Sequence, residues 1–252
     1  MDVPHDLPEM PREFSASTRL TNMDLCLRTI LAAQGAGEGA PRLALFYGWS
    51  GLGKTVAAAH AAAVTGAVYI LATRVMTQKS FLEALARELG LARPGRTSSD
   101  MLNNVIQRLN QNPQPIVIDE MDYLAKDQLV GIIRDIHDAA NIPILMIGEE
   151  GLPALLKQWE RFDNRIIAAT PAQRASIADG RILRDIYARR VKIADDLVDH
   201  FTVRCKGITR RIVVNIQDAQ SIALEELEAT NIDLLAWGDR QVRDGSLPRR
   251  QA

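Results

Sequence analysis

The chain has 252 residues, 47% of them hydrophobic, which is enough to bury the core of one large or two modest domains. Its 30 basic and 31 acidic residues leave a formal net charge of −1, which excludes binding to nucleic acid through a global positive field but not through local patches. Two cysteines and four scattered histidines show neither disulfide nor metal-ligand spacing, so a reducing cytoplasm is the simplest compartment.

The first residues are expected to form an arm rather than a domain. Residues 1–18 carry three prolines and mixed charge, without the charged-then-apolar layout of a signal peptide. The most apolar stretch, residues 56–72, is broken by polar residues and a glycine and falls short of a membrane span. Neither a secretion signal nor a membrane partner is therefore predicted.

Apolar runs alternate with helical patterns over the first two thirds of the chain. Strands are predicted at 43–47, 67–72, 115–118 and 144–148, with a further one at 166–169. Helices are predicted at 21–34, from 56 onward, and at 78–89, 101–110, 127–140 and 153–160. This alternation is typical of an α/β fold in which helices cover both faces of a parallel sheet.

The most informative stretch lies between the first strand and its helix. Residues 48–55 read GWSGLGKT and fit the phosphate-binding loop pattern G-x-x-x-x-G-K-[ST] in its required strand–loop–helix setting. The glycines let backbone N–H groups turn toward a polyphosphate, and the helix adds its positive N-terminal end. Lys54 would reach the β- and γ-phosphates, and Thr55 would hold Mg²⁺. The predicted nucleotide-binding residues here are Gly48, Trp49, Ser50, Gly51, Leu52, Gly53, Lys54, Thr55 and Val56.

Two carboxylates follow a second apolar strand. Asp119 is placed to hold Mg²⁺ through water, and Glu120 to orient or deprotonate the water that attacks the γ-phosphate. Strand ends also carry acidic turn residues that have no such role. Together with the phosphate loop, the pair predicts binding and hydrolysis of a nucleoside triphosphate, ATP or GTP.

The pattern changes near residue 170, after which only helical stripes are predicted. This change places a domain boundary there, without a flexible linker. The predicted organisation is an N-terminal arm at 1–18, an α/β nucleotide-binding domain at 19–170, a helical domain at 171–238 and a basic C-terminal tail at 239–252.

The phosphate loop, the acid pair and the Gly-x-x-Arg at residues 207–210 together resemble the AAA+ ATPases over roughly residues 20–238. Residues 47–55, 118–124 and 147–152 are similar to the transposition-associated branch of that family: the phage Mu B target-DNA activator and the TniB, TnsC and IstB proteins. The resemblance implies a P-loop NTPase fold, with a parallel sheet between helices and a small all-α lid domain, that takes ATP and Mg²⁺.

The resemblance also assigns two arginines. Arg210, or less favourably Arg211, would be the lid arginine that touches the γ-phosphate, and so a nucleotide-binding and catalytic residue. Arg165, or else Arg161, would be the finger supplied to the ATP of a neighbouring subunit, where a guanidinium neutralises transition-state charge. The alternative for each is an arginine that caps a helix end or faces water.

One position departs from the family pattern. The strand that ends at Gly148 normally delivers a polar donor such as Asn or Thr to the γ-phosphate, but Glu149 follows it here. An ionised carboxylate has no proton to donate, and it repels phosphate. Glu149 is therefore expected either to point away or to make hydrolysis slow without help.

Fewer than 48 residues precede the loop and leave no room for the helix-turn-helix module that the family usually carries, so DNA contact is expected from the ATPase body. The resemblance implies positive residues on elements after the second strand, lining the inside of a helical filament. The candidates are Arg74, Lys79, Arg93, Arg96 and Thr97. Contacts of this kind to the DNA backbone are sequence-independent and salt-sensitive. A solvated helix face and loop is the competing interpretation.

The function that the resemblance implies is that of an ATPase that self-associates into an oligomer or helical filament on double-stranded target DNA. It would deliver that DNA to a transposase in transposition or integration, and hydrolysis would disassemble it. The rival interpretations are a helicase loader of the DnaC type and a nucleotide-controlled interaction switch that never meets DNA. The expected location is the cytoplasm, that of a bacterial host if the protein is phage-encoded.

Overall fold

A computed structural model describes residues 20–37, 39–126 and 129–245 of the chain. The predicted arm at 1–18 lies outside the described residues, as do Asp127 at the start of one predicted helix and Arg249 and Arg250 of the basic tail. Contacts group the chain into two compact units. One contains Asn22–Trp49 and Lys54–Ala172, and the other contains Thr21, Ser50–Gly53 and the residues from Gln173 onward.

A five-stranded parallel sheet forms the centre of the first unit, in the order β2-β3-β4-β1-β5. This confirms the predicted fold class. The strands are β1 (Leu43–Tyr47), β2 (Val68–Leu71), β3 (Ile116–Asp119), β4 (Ile144–Gly148) and β5 (Ile166–Pro171). The three inner strands are buried almost throughout, since helices cover both faces, whereas β5 at the edge alternates half-buried and exposed positions.

Eight helices of the described chain accompany this sheet. They are α1 (Thr21–Gln34), α2 (Lys54–Thr65), α3 (Gln78–Glu88), α4 (Ser98–Gln111), α5 (Met121–Lys126), α6 (Val130–Ala140), α7 (Leu152–Leu156) and α8 (Glu160–Asp163). Helix α4 begins earlier than predicted because the Thr97 side chain accepts a hydrogen bond from the Asp100 N–H and forms a capping box. Within the described residues no helix is long and apolar enough to cross a membrane.

Two of the helix predictions were wrong in extent. The stretch 127–140 is represented by α6, which begins at Val130, and an unpredicted short helix, α5, comes directly after the acid pair. The stretch 153–160 is two short helices, because the chain turns at the half-buried Trp159, whose N–H donates to the Leu156 carbonyl (2.9 Å). Helices of four to six residues offer too few positions for a periodic pattern.

The second unit is mainly helical. Its elements are α9 (Ile177–Tyr187), β6 (Lys192–Ile193), α10 (Asp195–Arg204), α11 (Thr209–Glu225), β7 (Asn231–Ile232) and α12 (Leu234–Trp237). The expectation of an all-α lid is corrected by β6 and β7, which form a two-stranded parallel sheet. Strands of two residues are too short to show alternation in a sequence.

A separate hydrophobic core holds this unit together. Phe201 and Trp237 pack edge to face with ring centroids 4.9 Å apart, and Leu197 of α10 and Ile212 and Ile216 of α11 are fully buried beside them. Both cysteines of the chain, one in each unit, are buried free thiols.

Residues 239–245, the described part of the predicted basic tail, are bound to the second unit. Arg240 pairs with Glu226 (3.0 Å) and Arg243 with Asp218 (2.6 Å). The fully buried Asn215 accepts a hydrogen bond from the Arg243 N–H (2.8 Å) and donates to the Arg243 carbonyl (3.2 Å). These contacts engage the two described arginines of the tail within the unit.

We predict that Asn215→Ala lowers the free energy of unfolding by about 2–3 kcal/mol, because it leaves the Arg243 backbone groups without partners. The matched control is Gln217→Ala at an exposed position of the same helix, for which a change below about 0.5 kcal/mol is expected. Urea denaturation followed by circular dichroism measures both. Equal losses in the two variants would contradict the assigned role of Asn215.

Candidate nucleotide-binding site

Strands β1, β3 and β4 have their carboxyl ends side by side at one edge of the sheet. The register pairs Tyr47, the last residue of β1, with Gly148, the last residue of β4, and β4 in turn pairs with β3. Because the strands are parallel, the segments that follow them emerge side by side. The glycine-rich loop, Glu149 and the Asp119–Glu120 pair therefore meet at this edge.

The loop turns through two glycines in the left-handed region, Gly51 and Gly53, each with φ of 83°. Only glycine adopts this conformation without strain, so the pattern of glycines has a backbone reason. At the start of the loop, the Gly48 N–H donates to the Gly148 carbonyl (3.2 Å). Helix α2 begins at Lys54, which directs its first N–H groups toward the loop.

The remaining loop residues differ in exposure. Leu52 is buried, Thr55 and Val56 lie half-buried in the first turn of α2, and Ser50 is exposed. Trp49 is 61% exposed, which is unusual for so large an apolar side chain.

The Lys54 ammonium is buried and bound by three oxygen atoms. Its Nζ donates to the carbonyls of Gly48 (2.6 Å) and Trp49 (3.0 Å) and lies 3.3 Å from Oε1 of Glu149. The side chain is 9% exposed. A carboxylate oxygen therefore already serves as an anionic partner of Lys54, which shows that the site accommodates negative charge at this point.

Asp119 is almost fully buried and is held at both carboxylate oxygens. Its Oδ1 accepts the Glu120 N–H (2.9 Å), and its Oδ2 accepts the Tyr69 hydroxyl (2.8 Å). Burial raises the pKa of Tyr69, and the charge of Asp119 raises it further, so the phenol stays protonated and donates. Tyr69 is not among the residues predicted for the site. Its only signal in the sequence is a phenol in the otherwise aliphatic strand β2.

Glu120 occupies a strained backbone position, with φ of 56°. Burial raises the pKa of its carboxyl group, and the negative charges of Asp119 and Glu149 raise it further, while Lys54 acts in the opposite direction. A carboxylate with a raised pKa is a stronger base than an ordinary glutamate, which suits a residue that takes a proton from water.

Glu149 faces Lys54 instead of pointing away from it. Its backbone N–H donates to Oδ2 of the buried Asp122 (2.7 Å). A side chain at Gly148 would bring a Cβ within 2.4 Å of that same oxygen, so glycine is required for this close approach. Asp122 therefore fixes the backbone of the residue after β4.

The side chains at this edge of the sheet could hold Mg²⁺ only together with phosphate oxygens and water. In the described residues no group of three or more His, Cys, Asp or Glu side chains could hold a metal ion by itself. Thr55 and Asp119 would supply a hydroxyl and a carboxylate, both of which are oxygen ligands suited to Mg²⁺, with phosphate oxygens and water completing the shell.

Arg165 lies at the opposite ends of the strands, near the amino end of β1. It directly precedes β5, and its carbonyl accepts the N–H of Leu43 at the start of β1 (3.2 Å). Its guanidinium binds both oxygens of Asp138 (2.6 and 2.7 Å) and also contacts the carbonyl of the exposed Arg161. Arg165 is thus separated from the loop of its own chain by the length of β1.

The two lid candidates differ in their contacts. Arg210, in the first turn of α11, is exposed, and its N–H donates to the Gly51 carbonyl (3.0 Å). The guanidinium of Arg211 contacts the Asp244 carbonyl instead.

The candidate DNA-contacting residues are exposed in the connections around α3. Arg74 lies in the loop before this helix, Lys79 in its first turn, and Arg93 and Arg96 in the loop after it. Lys79 lies 3.8 Å from Glu83, one turn along the helix. The Thr97 hydroxyl caps α4, as described above.

Comparisons with known proteins agree with this geometry. Residues 38–156 match the family described as AAA domain. The ORC2 protein of Aeropyrum pernix, in ADPNP and ADP complexes, is 17% identical with a TM-score of 0.66, over 90% of this chain and 67% of that one. Cdc6p of Pyrobaculum aerophilum is 16% identical with a TM-score of 0.64, over 88% and 66%. Aeropyrum pernix ORC1 in complex with DNA is 20% identical with a TM-score of 0.60, over 86% and 63%.

These likenesses show the fold, which is that of a P-loop AAA+ domain. The chain spans about two thirds of the length of the three structures. A search among curated protein sequences finds no significant match.

We predict that, as the pH is lowered, the rate of hydrolysis begins to fall at a higher pH than it would if the base were a glutamate with an ordinary pKa. The raised pKa of Glu120 means that this base takes up its proton early as pH falls, and the protonated form cannot accept one from water. The measurement is the pH profile of kcat/KM, which reports the free enzyme.

Glu149→Gln removes one of the charges that raise the pKa of Glu120, so it should move the acid limb of this profile to lower pH. Glu150→Gln, at the exposed neighbouring position, is the control and should leave the limb in place. A limb that moves equally in both variants would contradict the assignment of Glu120 as the base.

Proposed function

We propose that the protein is an ATPase that assembles with other copies on double-stranded DNA when ATP is bound and presents that DNA to a transposase. The observation that carries the ATPase part is the meeting of Lys54, Asp119 and Glu120 at one sheet edge. The DNA and transposase parts are supported by the resemblance to the Mu B, TniB, TnsC and IstB group and by the basic residues around α3.

In the proposed reaction the loop N–H groups, the start of α2 and Lys54 bind the phosphates of ATP. Thr55, and Asp119 through water, would hold Mg²⁺, which would supply positive charge to the phosphate oxygens. Tyr69 keeps the Asp119 carboxylate in place through its hydrogen bond. Glu120 accepts the proton of the attacking water, and its raised pKa suits that step.

The position of Arg165 supports the proposed self-association. Strand β1 has five residues and is about 16 Å long. Because Arg165 lies at the start of β1 and the phosphate loop follows its end, Arg165 does not reach the phosphate loop of its own chain. An arginine at this edge acts on the ATP of an adjacent copy if copies assemble head to tail, and Asp138 orients it. Arg210, which the resemblance assigns as the lid arginine, is the proposed contact to the γ-phosphate.

DNA binding is proposed through phosphate contacts from Arg74, Lys79, Arg93 and Arg96, with Thr97 as an added polar contact. All five are exposed, as a surface that follows a DNA backbone requires. One similar structure, that of Aeropyrum pernix ORC1, is in complex with DNA, which supports DNA as a ligand for this fold.

The test combines hydrolysis and assembly measured on the full chain. We predict that duplex DNA raises the ATPase rate, and that electron microscopy with ATP shows protein-coated DNA. Glu120→Gln should bind ATP without hydrolysing it and remain on DNA, since the base is absent. Lys54→Ala should abolish nucleotide binding and therefore assembly.

The outcomes separate the rival functions. No coated DNA and no stimulation by duplex would contradict the proposal. Stimulation by single-stranded DNA together with a helicase would support a loader, and nucleotide binding without any DNA response would support an interaction switch. Equal dissociation rates from DNA for wild type and Glu120→Gln would remove Glu120 from its role.

We also predict that Arg165 acts between copies. The Arg165→Ala variant keeps an intact Glu120 site, and the Glu120→Gln variant keeps an intact Arg165. Neither variant should hydrolyse ATP when it is assayed by itself. In an equal mixture about a quarter of the interfaces pair an intact site with an intact arginine, so activity should return.

The control for this mixture is Arg161→Ala with Glu120→Gln, because Arg161 is the other candidate and lies one helical turn away. Full activity of Arg161→Ala by itself would agree with Arg165 as the finger. Absence of recovery in the Arg165→Ala mixture would show that Arg165 does not act in trans.

A further inference from the structure

We infer that Glu149 competes with the γ-phosphate of a nucleoside triphosphate for Lys54, and so makes the site distinguish triphosphate from diphosphate. Its carboxylate binds Lys54 until a triphosphate displaces it, and it returns when only a diphosphate is bound. This inference rests on the proposed nucleotide-binding function and deepens it, because the residue after β4 would regulate the site by charge.

The hydrogen-bonding capacity of Lys54 is already filled. An ammonium group has three donors, and three oxygen atoms surround this one: two loop carbonyls and Glu149 Oε1. A phosphate oxygen can therefore approach Lys54 only if one of them leaves. The carbonyls of Gly48 and Trp49 are part of the loop backbone, whereas the Glu149 side chain is 45% exposed. Glu149 is the partner that can move with the least rearrangement.

The strand order places Glu149 near the expected phosphoryl position. Strand β4 lies between β1, which leads to the phosphate loop, and β3, which leads to the acid pair. The first residue after β4 therefore lies between Lys54 and Glu120. A phosphoryl group bound by Lys54 and attacked by a water that Glu120 activates must lie in that same interval. The Glu149 carboxylate lies 3.3 Å from Lys54, and its charge also acts on Glu120.

Negative charge predominates at this point of the site. The carboxylates of Asp119, Asp122 and Glu149 act on Glu120 together with the single ammonium of Lys54, and Glu149 also lies 3.3 Å from that ammonium. A terminal phosphate placed against Lys54 beside an unmoved Glu149 would meet a like charge at close range. A diphosphate brings only its β-phosphate to Lys54 and places no phosphoryl group in the interval between Lys54 and Glu120. The repulsion from Glu149 is therefore greater for the triphosphate.

The backbone around Glu149 confines the change to its side chain. The Glu149 N–H is bound to Asp122, its carbonyl accepts the Leu152 N–H (3.0 Å), and a side chain at Gly148 would collide with both of those neighbours. Displacement of the carboxylate thus requires rotation about side-chain bonds and no movement of β4 or α5. Glu149 is accordingly a specificity-determining residue that acts through Lys54.

The experiment compares Glu149→Gln with Glu150→Gln in the full chain. Both substitutions remove one negative charge, at adjacent positions, and only the first charge lies beside Lys54. Isothermal titration calorimetry with Mg²⁺ at fixed ionic strength measures the affinities for ADP and for a nonhydrolysable ATP analogue. We expect Glu149→Gln to raise the affinity for the analogue by about tenfold and that for ADP by less than about twofold. Glu150→Gln should change either affinity by less than about twofold.

Several results would overturn the inference. Equal increases for both nucleotides would mean that Glu149 only adds general negative charge, and no increase would mean that it does not compete. A weaker affinity for the analogue would mean that Glu149 supports the bound triphosphate. Glu149→Ala provides the same comparison if thermal unfolding shows that Glu149→Gln is not folded.

The wild-type measurement separates this inference from the proposed function. Binding of both nucleotides by the wild-type chain keeps the nucleotide-binding proposal, whatever the Glu149 variants do. Failure of the wild-type chain to bind either nucleotide overturns that proposal and this inference together.

Discussion

The structure of the site depends on the accommodation of one buried ammonium group. Lys54 is 9% exposed, and a charge so removed from water is tolerated only if hydrogen-bond acceptors surround it. The loop supplies two of them by directing the carbonyls of Gly48 and Trp49 inward. That path of the backbone in turn needs glycines at the turns that follow, because φ is positive there.

The parallel register of the sheet adds the carboxylates. Since β3 and β4 end beside β1, Asp119, Glu120 and Glu149 are brought to the lysine from segments far apart in the chain. Asp119 accepts hydrogen bonds from Tyr69 and from the Glu120 N–H. Burial raises the carboxyl pKa of Glu120, and the negative charges of Asp119 and Glu149 raise it further.

Much of the fold was predictable because it rests on patterns within single segments. Buried strands read as aliphatic runs, and α1 and β4 have their predicted bounds. The short helix α5, the break between α7 and α8, and the two-residue strands β6 and β7 were missed, since their formation depends on neighbours and not on periodicity. The contacts of Tyr69 and Asp138 were also missed, because each joins residues of different elements.

The sequence by itself determined the phosphate-binding loop, the adjacent acid pair and the α/β class, because each is encoded by residues close together in the chain. It also marked Glu149 as a departure from the family pattern, but left its direction open. Only the tertiary structure decided that this carboxylate faces Lys54, since the strand order places the end of β4 between those of β1 and β3. A contact between residues 95 positions apart is set by that packing and by no local pattern.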